Sequence, residues 1–203
     1  MNWQDAFGSV EALDRMNRAE RVTAAALYQR HLKEVLHYVL RRVPRIEEAE
    51  DITAEVFAAA AAGLPRFRGQ CPPYPWLLSI ARRQIALARR RRANRRETLA
   101  SELADEAADA EALWEAIGAV EGPETALLRS EARRVLRELV AGLSADQREA
   151  LLLQYVEQLS LAEIAVVMGR SATSVKGLLQ RARATLYRQG RGYFGSDEEG
   201  RDR

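Results

Sequence analysis

Two capping boxes follow one another in the C-terminal third of the chain, and they constrain its fold more than any other feature. In Ser144-Ala-Asp-Gln147 and again in Ser160-Leu-Ala-Glu163, a serine precedes Gln or Glu by three positions. In this pairing, side chain and backbone at a helix start satisfy each other's unpaired amides. The first box opens a helix through Leu151, Leu152 and Tyr155, and the second a short helix holding Ile164, Ala165 and Met168. Gly169 then supplies a turn, and Ser171 caps a last helix from about Ala172 to Arg188. Short helix, glycine turn and longer basic helix make the layout of a helix-turn-helix.

In the last helix Val175, Leu179, Ala182 and Leu186 share one side, placed to pack against Ile164 and Ala165. The other side offers Ser171, Thr173, Ser174, Lys176, Gln180 and Arg181, with Arg170, Arg183 and Arg188 where phosphates would be met. A recognition helix presents its early residues to base edges in the major groove and its flanking cations to the backbone. Gly177 lowers helix propensity by up to about 1 kcal/mol, and it permits close approach to the DNA backbone. The other reading of this face is a solvated basic surface on an ordinary helical hairpin.

The N-terminal half has the same helical period. Leu27, Tyr28, Leu32, Val35, Leu36, Val39 and Val43 predict a helix within 20–43 that Pro44 ends. Glu47 to Ala62 predicts a second, with Ala49, Ile52, Val56 and Ala60 on one face and Gly63 and Pro65 as its stop. After a loop with Gly69, Pro72, Pro73 and Pro75, helical spacing resumes at Trp76, Leu77, Ile80, Ile85 and Leu87. The third helix runs into an arginine block containing Arg82, Arg83, Arg89, Arg90, Arg91, Arg92, Arg95 and Arg96. A chain with 47% hydrophobic, 30% charged and only 6% aromatic residues suits a soluble, Ala/Leu-rich, all-α fold.

The formal net charge is only +2, but its distribution is uneven. No Lys or Arg occurs between Glu97 and Leu128, so the chain runs basic, acidic, basic. The acidic stretch 97–125 reads as a linker with a short amphipathic patch at Leu113, Trp114, Ile117 and Val120. Fully extended, it would reach roughly 95 Å at about 3.3 Å per residue, enough to hold two domains well apart. Its charge keeps a tether open by self-repulsion. Alternatively, Glu102, Asp105, Glu106 and Asp109 imitate nucleic acid in a positive cleft.

Other chemistries find no footing. The single Cys71 cannot form an internal disulfide, and with His31 and His37 as the only histidines there is no metal-ligand grouping. No catalytic set, phosphate-cradling loop or cofactor motif stands out. A cytoplasmic protein is expected, without membrane insertion, because the acidic N-terminus lacks the layout of a signal peptide and no stretch approaches membrane-spanning length.

Leu143 to Leu186, LSADQREALLLQYVEQLSLAEIAVVMGRSATSVKGLLQRARATL, resembles region 4 of the extracytoplasmic-function sigma factors. Three features carry the likeness: the L-x-x-x-Q-R-E opening at Leu143, the S-x-x-E-I-A helix at Ser160, and S-x-x-S-V-K running into R-A-R at Arg181. Residues 22–96 resemble region 2 of the same family, above all in EEAEDITAEVFAAAAAGLPRFRG followed by PWLLSIARRQIA. The resemblance implies an extension 1–20, region 2 over 21–96, an acidic linker 97–125, region 4 over 126–190 and a tail 191–203. It implies a sigma factor that binds core RNA polymerase and promoter DNA, duplex and single-stranded, and is no obligate homo-oligomer. An anti-sigma partner is usual in the family.

By the same resemblance the 47–62 helix docks on the β′ coiled coil through Glu48, Asp51 and Glu55, and region 4 reads the −35 element and touches the β flap. Trp76, Arg82, Arg83, Arg89 and Arg90 are the candidates for opening and holding the −10 element. Stacking platforms in a positive groove are what capture of unpaired bases requires. Trp76 can equally be a core aromatic, the acidic face ordinary helix-start charge, and the arginine block a solvated run.

The chain departs from the family at several places. Ala54 replaces the usual Gln, an alanine run spans Ala58 to Ala62, Pro73 stands where Phe is frequent, Arg83 and Leu87 replace Asn and Asp, and Leu178 replaces Arg. Two rivals remain: a dimeric helix-turn-helix regulator of duplex DNA, and an interaction module sequestered by another factor. The Asp51/Glu55 helix and the Trp76 to Arg96 helix speak against the first.

Overall fold

A computed structural model describes residues 23–43, 45–93, 109–113, 115–116 and 126–194. Helix α1, Ala24–Leu40, starts where the Thr23 hydroxyl accepts a hydrogen bond from the Ala26 amide at 3.1 Å, meeting one of the donors that a helix start leaves unpaired. Its buried residues Leu27, Val35, Tyr38 and Val39 recur at the spacing of one face. Pro44, the expected stop, lies outside the described residues.

Helix α2, Ile46–Gly63, has Glu47 and Glu48 in its first turn, where their charge faces the exposed amides of the helix start. Ala49, Ile52, Val56, Phe57 and Ala60 are buried along it, and a 3-10 turn, Leu64–Arg66, follows. Helix α3, Pro73–Ala93, begins before the Trp76 expected from sequence. Pro73 and Pro75 occupy its first turn, where the missing N–H has no partner to lose and the fixed φ already suits a helix. Leu77, Leu78, Ala81, Ile85 and Ala88 are buried, and α1, α2 and α3 pack on one another.

The second body holds α4, Ala126–Ala141, α5, Ala145–Tyr155, α6, Leu161–Met168, and α7, Ala172–Phe194. Both capping boxes form with reciprocal bonds, at Ser144/Gln147 and Ser160/Glu163. Gly169 ends α6 at φ +63° in the left-handed region, which a residue with a Cβ enters only at a cost. The Ser171 hydroxyl accepts from the Ser174 amide at 3.2 Å and caps α7. Helix α7 continues past Arg188 to Phe194. Its Val175, Leu179 and Ala182 are buried as their spacing predicts, and so is Leu178, which fills the core where the family commonly shows an arginine.

The tether expected to hold the two bodies apart does not do so here. Helix α3 lies against α6, and a single apolar core runs from Val35 and Leu77 through to Ile164 and Val175. Between the bodies, residues 109–113 form a helical turn whose Asp109, Ala110, Ala112 and Leu113 are buried. The rest of the expected patch, Trp114, Ile117 and Val120, lies outside the described residues. Among the described residues no helix is long and apolar enough to cross a membrane.

Candidate nucleic-acid interface

The start of α7 gathers most of the polar residues picked out for duplex DNA. Arg170, Ser171, Thr173, Lys176, Gln180, Arg181 and Arg183 are exposed, with Ser174 and Gly177 partly so, while the opposite side of the helix is committed to the core. Burial of Val175, Leu178 and Leu179 therefore fixes which side faces out. Several of these groups are already oriented. Arg170 pairs with Asp146 of α5. Arg183 donates to Gln154 at 2.9 Å and lies 5.9 Å from the Tyr155 ring centre. Arg181 folds back over Gly177, where an added Cβ would come within 3.3 Å of its guanidinium. The space that Gly177 leaves is thus covered by this cation.

The −10 candidates separate into two groups. Trp76 is partly buried and stacks on Phe67, ring centres 4.5 Å apart and planes inclined by 27°. Both rings line an open pocket of about 320 Å³ together with Arg66, Gln70, Arg83 and Gln84. The pocket joins a stacking surface, cations and amides that donate and accept. Arg82 turns the other way, donating to the Met168 carbonyl at 3.4 Å and lying 3.7 Å from Asp146. Arg89 donates to the Arg42 carbonyl at 3.3 Å, and Arg90 is exposed. Sequence reasoning missed Phe67, Arg66 and Gln84. The one visible signal was an aromatic between arginines, Arg66-Phe67-Arg68, set in a loop between Pro65 and Gly69.

The acidic face of α2 is partly engaged inside its own body. Glu48 pairs with the buried Arg92 of α3 at 3.1 Å and with Arg45 at 3.8 Å, while Glu55 lies 3.7 Å from Arg91. Asp51 is exposed. The arginine block is therefore not a uniform phosphate-facing run, since Arg92 helps fasten α3 to α2.

A second polar constellation, invisible from spacing, lies where the two bodies meet. The Tyr38 hydroxyl donates to Glu149 at 2.7 Å, and Arg42 donates to the same carboxylate at 2.9 and 3.2 Å. Tyr38 is 0% and Arg42 5% exposed. Glu157 takes a pair from Arg41 and a bond from the Tyr74 hydroxyl at 2.5 Å. Burial alone would push the Glu149 carboxyl up, but Arg42 and the Tyr38 hydroxyl outweigh it and hold it below the usual carboxylate range. Burial, reinforced by the neighbouring carboxylates, pushes both phenols well up. Asp109 of the intervening turn lies 3.8 Å from Arg148, so the one described member of the acidic set proposed to imitate nucleic acid faces a cation of this same chain. Glu102, Asp105 and Glu106 lie outside the described residues.

One helical chain thus carries a basic helix-turn-helix and, apart from it, an aromatic pocket rimmed by cations. Comparison with known proteins makes this specific. Residues 27–96 match the family model for sigma-70 region 2 and residues 133–186 that for sigma-70, region 4. The chain is 31% identical over 160 residues to the RNA polymerase sigma factor YlaC of Bacillus subtilis, covering 79% of this chain and 87% of that protein. It is 30% identical over 185 residues to the ECF RNA polymerase sigma factor BldN of Streptomyces coelicolor, covering 91% of this chain and 66% of that protein. The co-crystal structure of the sigma factor RpoE with the anti-sigma factor NepR from Bartonella quintana shares the fold, with a TM-score of 0.52 and 19% identity over 80% of this chain and 92% of that one. The chain belongs to the extracytoplasmic-function group of the sigma-70 family: it is an RNA polymerase sigma factor that directs promoter-specific transcription.

Proposed function

We propose that the two surfaces divide the promoter between them, within a region 2 of 21–96 and a region 4 of 126–190. The exposed start of α7, from Arg170 to Arg183, enters the major groove of the −35 element. Thr173, Ser174 and Gln180 meet base edges, and the four cations Arg170, Lys176, Arg181 and Arg183 meet phosphates. The Trp76 pocket takes an unpaired base of the −10 element against the open side of the stacked Trp76 and Phe67 rings, beside Arg83, with Arg82, Arg89 and Arg90 along the strand. The single observation that carries this reading is the placement of Trp76: partly exposed, stacked on Phe67, and facing a pocket rimmed by Arg66 and Arg83.

Asp51, with Glu48 and Glu55 at its flanks, forms the acidic rim offered to the β′ coiled coil of core polymerase, and region 4 touches the β flap. The factor contributes binding and strand capture without catalysis of its own, and it works in the cytoplasm. An anti-sigma protein is a further partner, as it is for the Bartonella quintana sigma factor.

The test uses holoenzyme reconstituted with Trp76→Ala or Trp76→Phe on a fully duplex promoter and on the same promoter pre-opened across the −10 element. The alanine variant should open the duplex poorly, the phenylalanine variant should keep much of the activity, and the pre-opened template should narrow the gap. Equal opening by all three proteins would refute base capture at Trp76.

A further inference from the structure

Stacking tolerates any of the four bases, because each has a π face, so discrimination at the Trp76 pocket falls to the polar side chains around it. Those side chains are donors. Arg66 and Arg83 line the pocket, and a guanidinium carries N–H groups but no acceptor. Gln70 lines it too, and its side-chain oxygen accepts from the Arg68 amide at 3.4 Å. The end of Gln70 that is left to meet a base is therefore its NH2 group, again a donor. Burial pushes the Cys71 thiol up to about 11, which keeps it protonated. Among the described residues no carboxylate lines the pocket, and Gln84 is the one lining side chain with an oxygen still to offer. Glu163, whose charge acts on Cys71, is turned to Ser160, from which it accepts at 2.8 Å and 2.7 Å.

We propose that this donor-lined pocket selects its unpaired base by the carbonyl groups on the base's edge: it takes guanine, cytosine or thymine and turns adenine away. This rests on base capture at Trp76, as proposed above. Guanine presents O6 and N7 to donors, thymine its two carbonyl oxygens, and cytosine O2 beside N3. Adenine has no carbonyl oxygen. Its ring nitrogens N1 and N7 accept, but each sits beside the 6-amino group, which donates. Against Arg66, Arg83 and the Gln70 NH2 group, that amino group sets donor against donor, and only the Gln84 oxygen answers it. A donor left without an acceptor at the contact costs affinity. Size does not separate the bases, since about 320 Å³ has room for a purine or a pyrimidine. The selection therefore turns on one group, amino or oxo, at position 6 of a purine.

The test uses reconstituted holoenzyme and fluorescein-labelled single strands, one from each strand of the −10 element of a promoter that the holoenzyme selects from a library. An abasic scan locates the captured position as the one where removing the base weakens binding by wild type but not by Trp76→Ala. Phe67→Ala serves in its place if Trp76→Ala loses helix by circular dichroism. Each natural base is then placed at that position, together with hypoxanthine, a purine with oxygen where adenine has its 6-amino group. Anisotropy gives the affinities. Guanine, cytosine, thymine and hypoxanthine should each bind roughly tenfold more tightly than adenine, about the worth of one hydrogen bond to a charged group. Gln70→Glu keeps an oxygen for the Arg68 amide and turns the donor beside it into an acceptor, so it should narrow the gap between adenine and hypoxanthine. Comparing bases within that variant cancels its uniform effect on the strand. Adenine bound as tightly as hypoxanthine by wild type, or a gap that Gln70→Glu widens, overturns the selection while base capture at Trp76 stands. A scan without any Trp76-dependent position overturns both.

Discussion

The cations of α7 make a prediction that salt can read. Arg170, just before α7, and Lys176, Arg181 and Arg183 on it are all exposed, so these four side chains supply four direct phosphate contacts at most. Each neutralised phosphate contributes about −0.9 to the slope of log affinity against log salt. The four together give about −3.6, a loss of roughly 150-fold between 50 and 200 mM salt. Lys176→Ala tests the count most cleanly, because Arg170 and Arg183 are held by Asp146 and Gln154 and Arg181 is folded over Gly177. Holoenzyme carrying Lys176→Ala should bind promoter DNA with a slope shallower by about 0.9, weakened by similar factors whatever the −35 sequence. The assay is anisotropy or filter binding across a salt series on several −35 variants. An unchanged slope accompanied by an altered −35 preference would refute the phosphate assignment and place Lys176 on a base edge instead.

Three further outcomes follow from the same geometry. Gly169→Ala meets no atom within 4 Å of the added Cβ but must hold φ +63°, so its cost is backbone strain alone, about 1–2 kcal/mol in urea unfolding; Gly142→Ala, which meets only the movable end of Gln189, should cost less. In the promoter-opening assay Trp76→Ala should lose about 1–3 kcal/mol, the worth of one stacked base, with Trp76→Phe intermediate. The lowered Glu149 carboxyl faces Tyr38, Arg42 and, farther off, Arg82. Its contribution to stability is complete above the ordinary value of 4.5 and is lost as pH falls through the lowered one, so urea unfolding from pH 7 downward should show this part of the stability lost only below the ordinary carboxylate range.

What could be read in the sequence was local. The boxes at Ser144 and Ser160, the glycine at 169 and the period of Val175, Leu179 and Ala182 each involve residues within a turn or two, and each forms as expected. Helix α3 starts before Trp76 because proline, which breaks a helix interior, is accepted in the first turn, where Pro73 and Pro75 stand. The pairing of Tyr38 with Glu149 joins residues 111 positions apart, and no periodicity carries information over that distance. A tyrosine and an arginine one turn apart at the end of an apolar helix face, Tyr38 and Arg42, were the only local trace. The arginine block misled in part for a related reason: composition shows a run of positive charge, but only packing reveals that Arg92 turns inward to Glu48 and Arg82 toward Asp146.

The central claim is that this chain, joined to core polymerase, selects where transcription begins. Purified protein mixed with core enzyme on a library of promoter sequences, followed by sequencing of the transcripts, measures it directly. Start sites sharing two spaced elements, absent when the chain is left out, are the predicted result. Transcripts unchanged by its addition, or a chain that never associates with core enzyme, would contradict it.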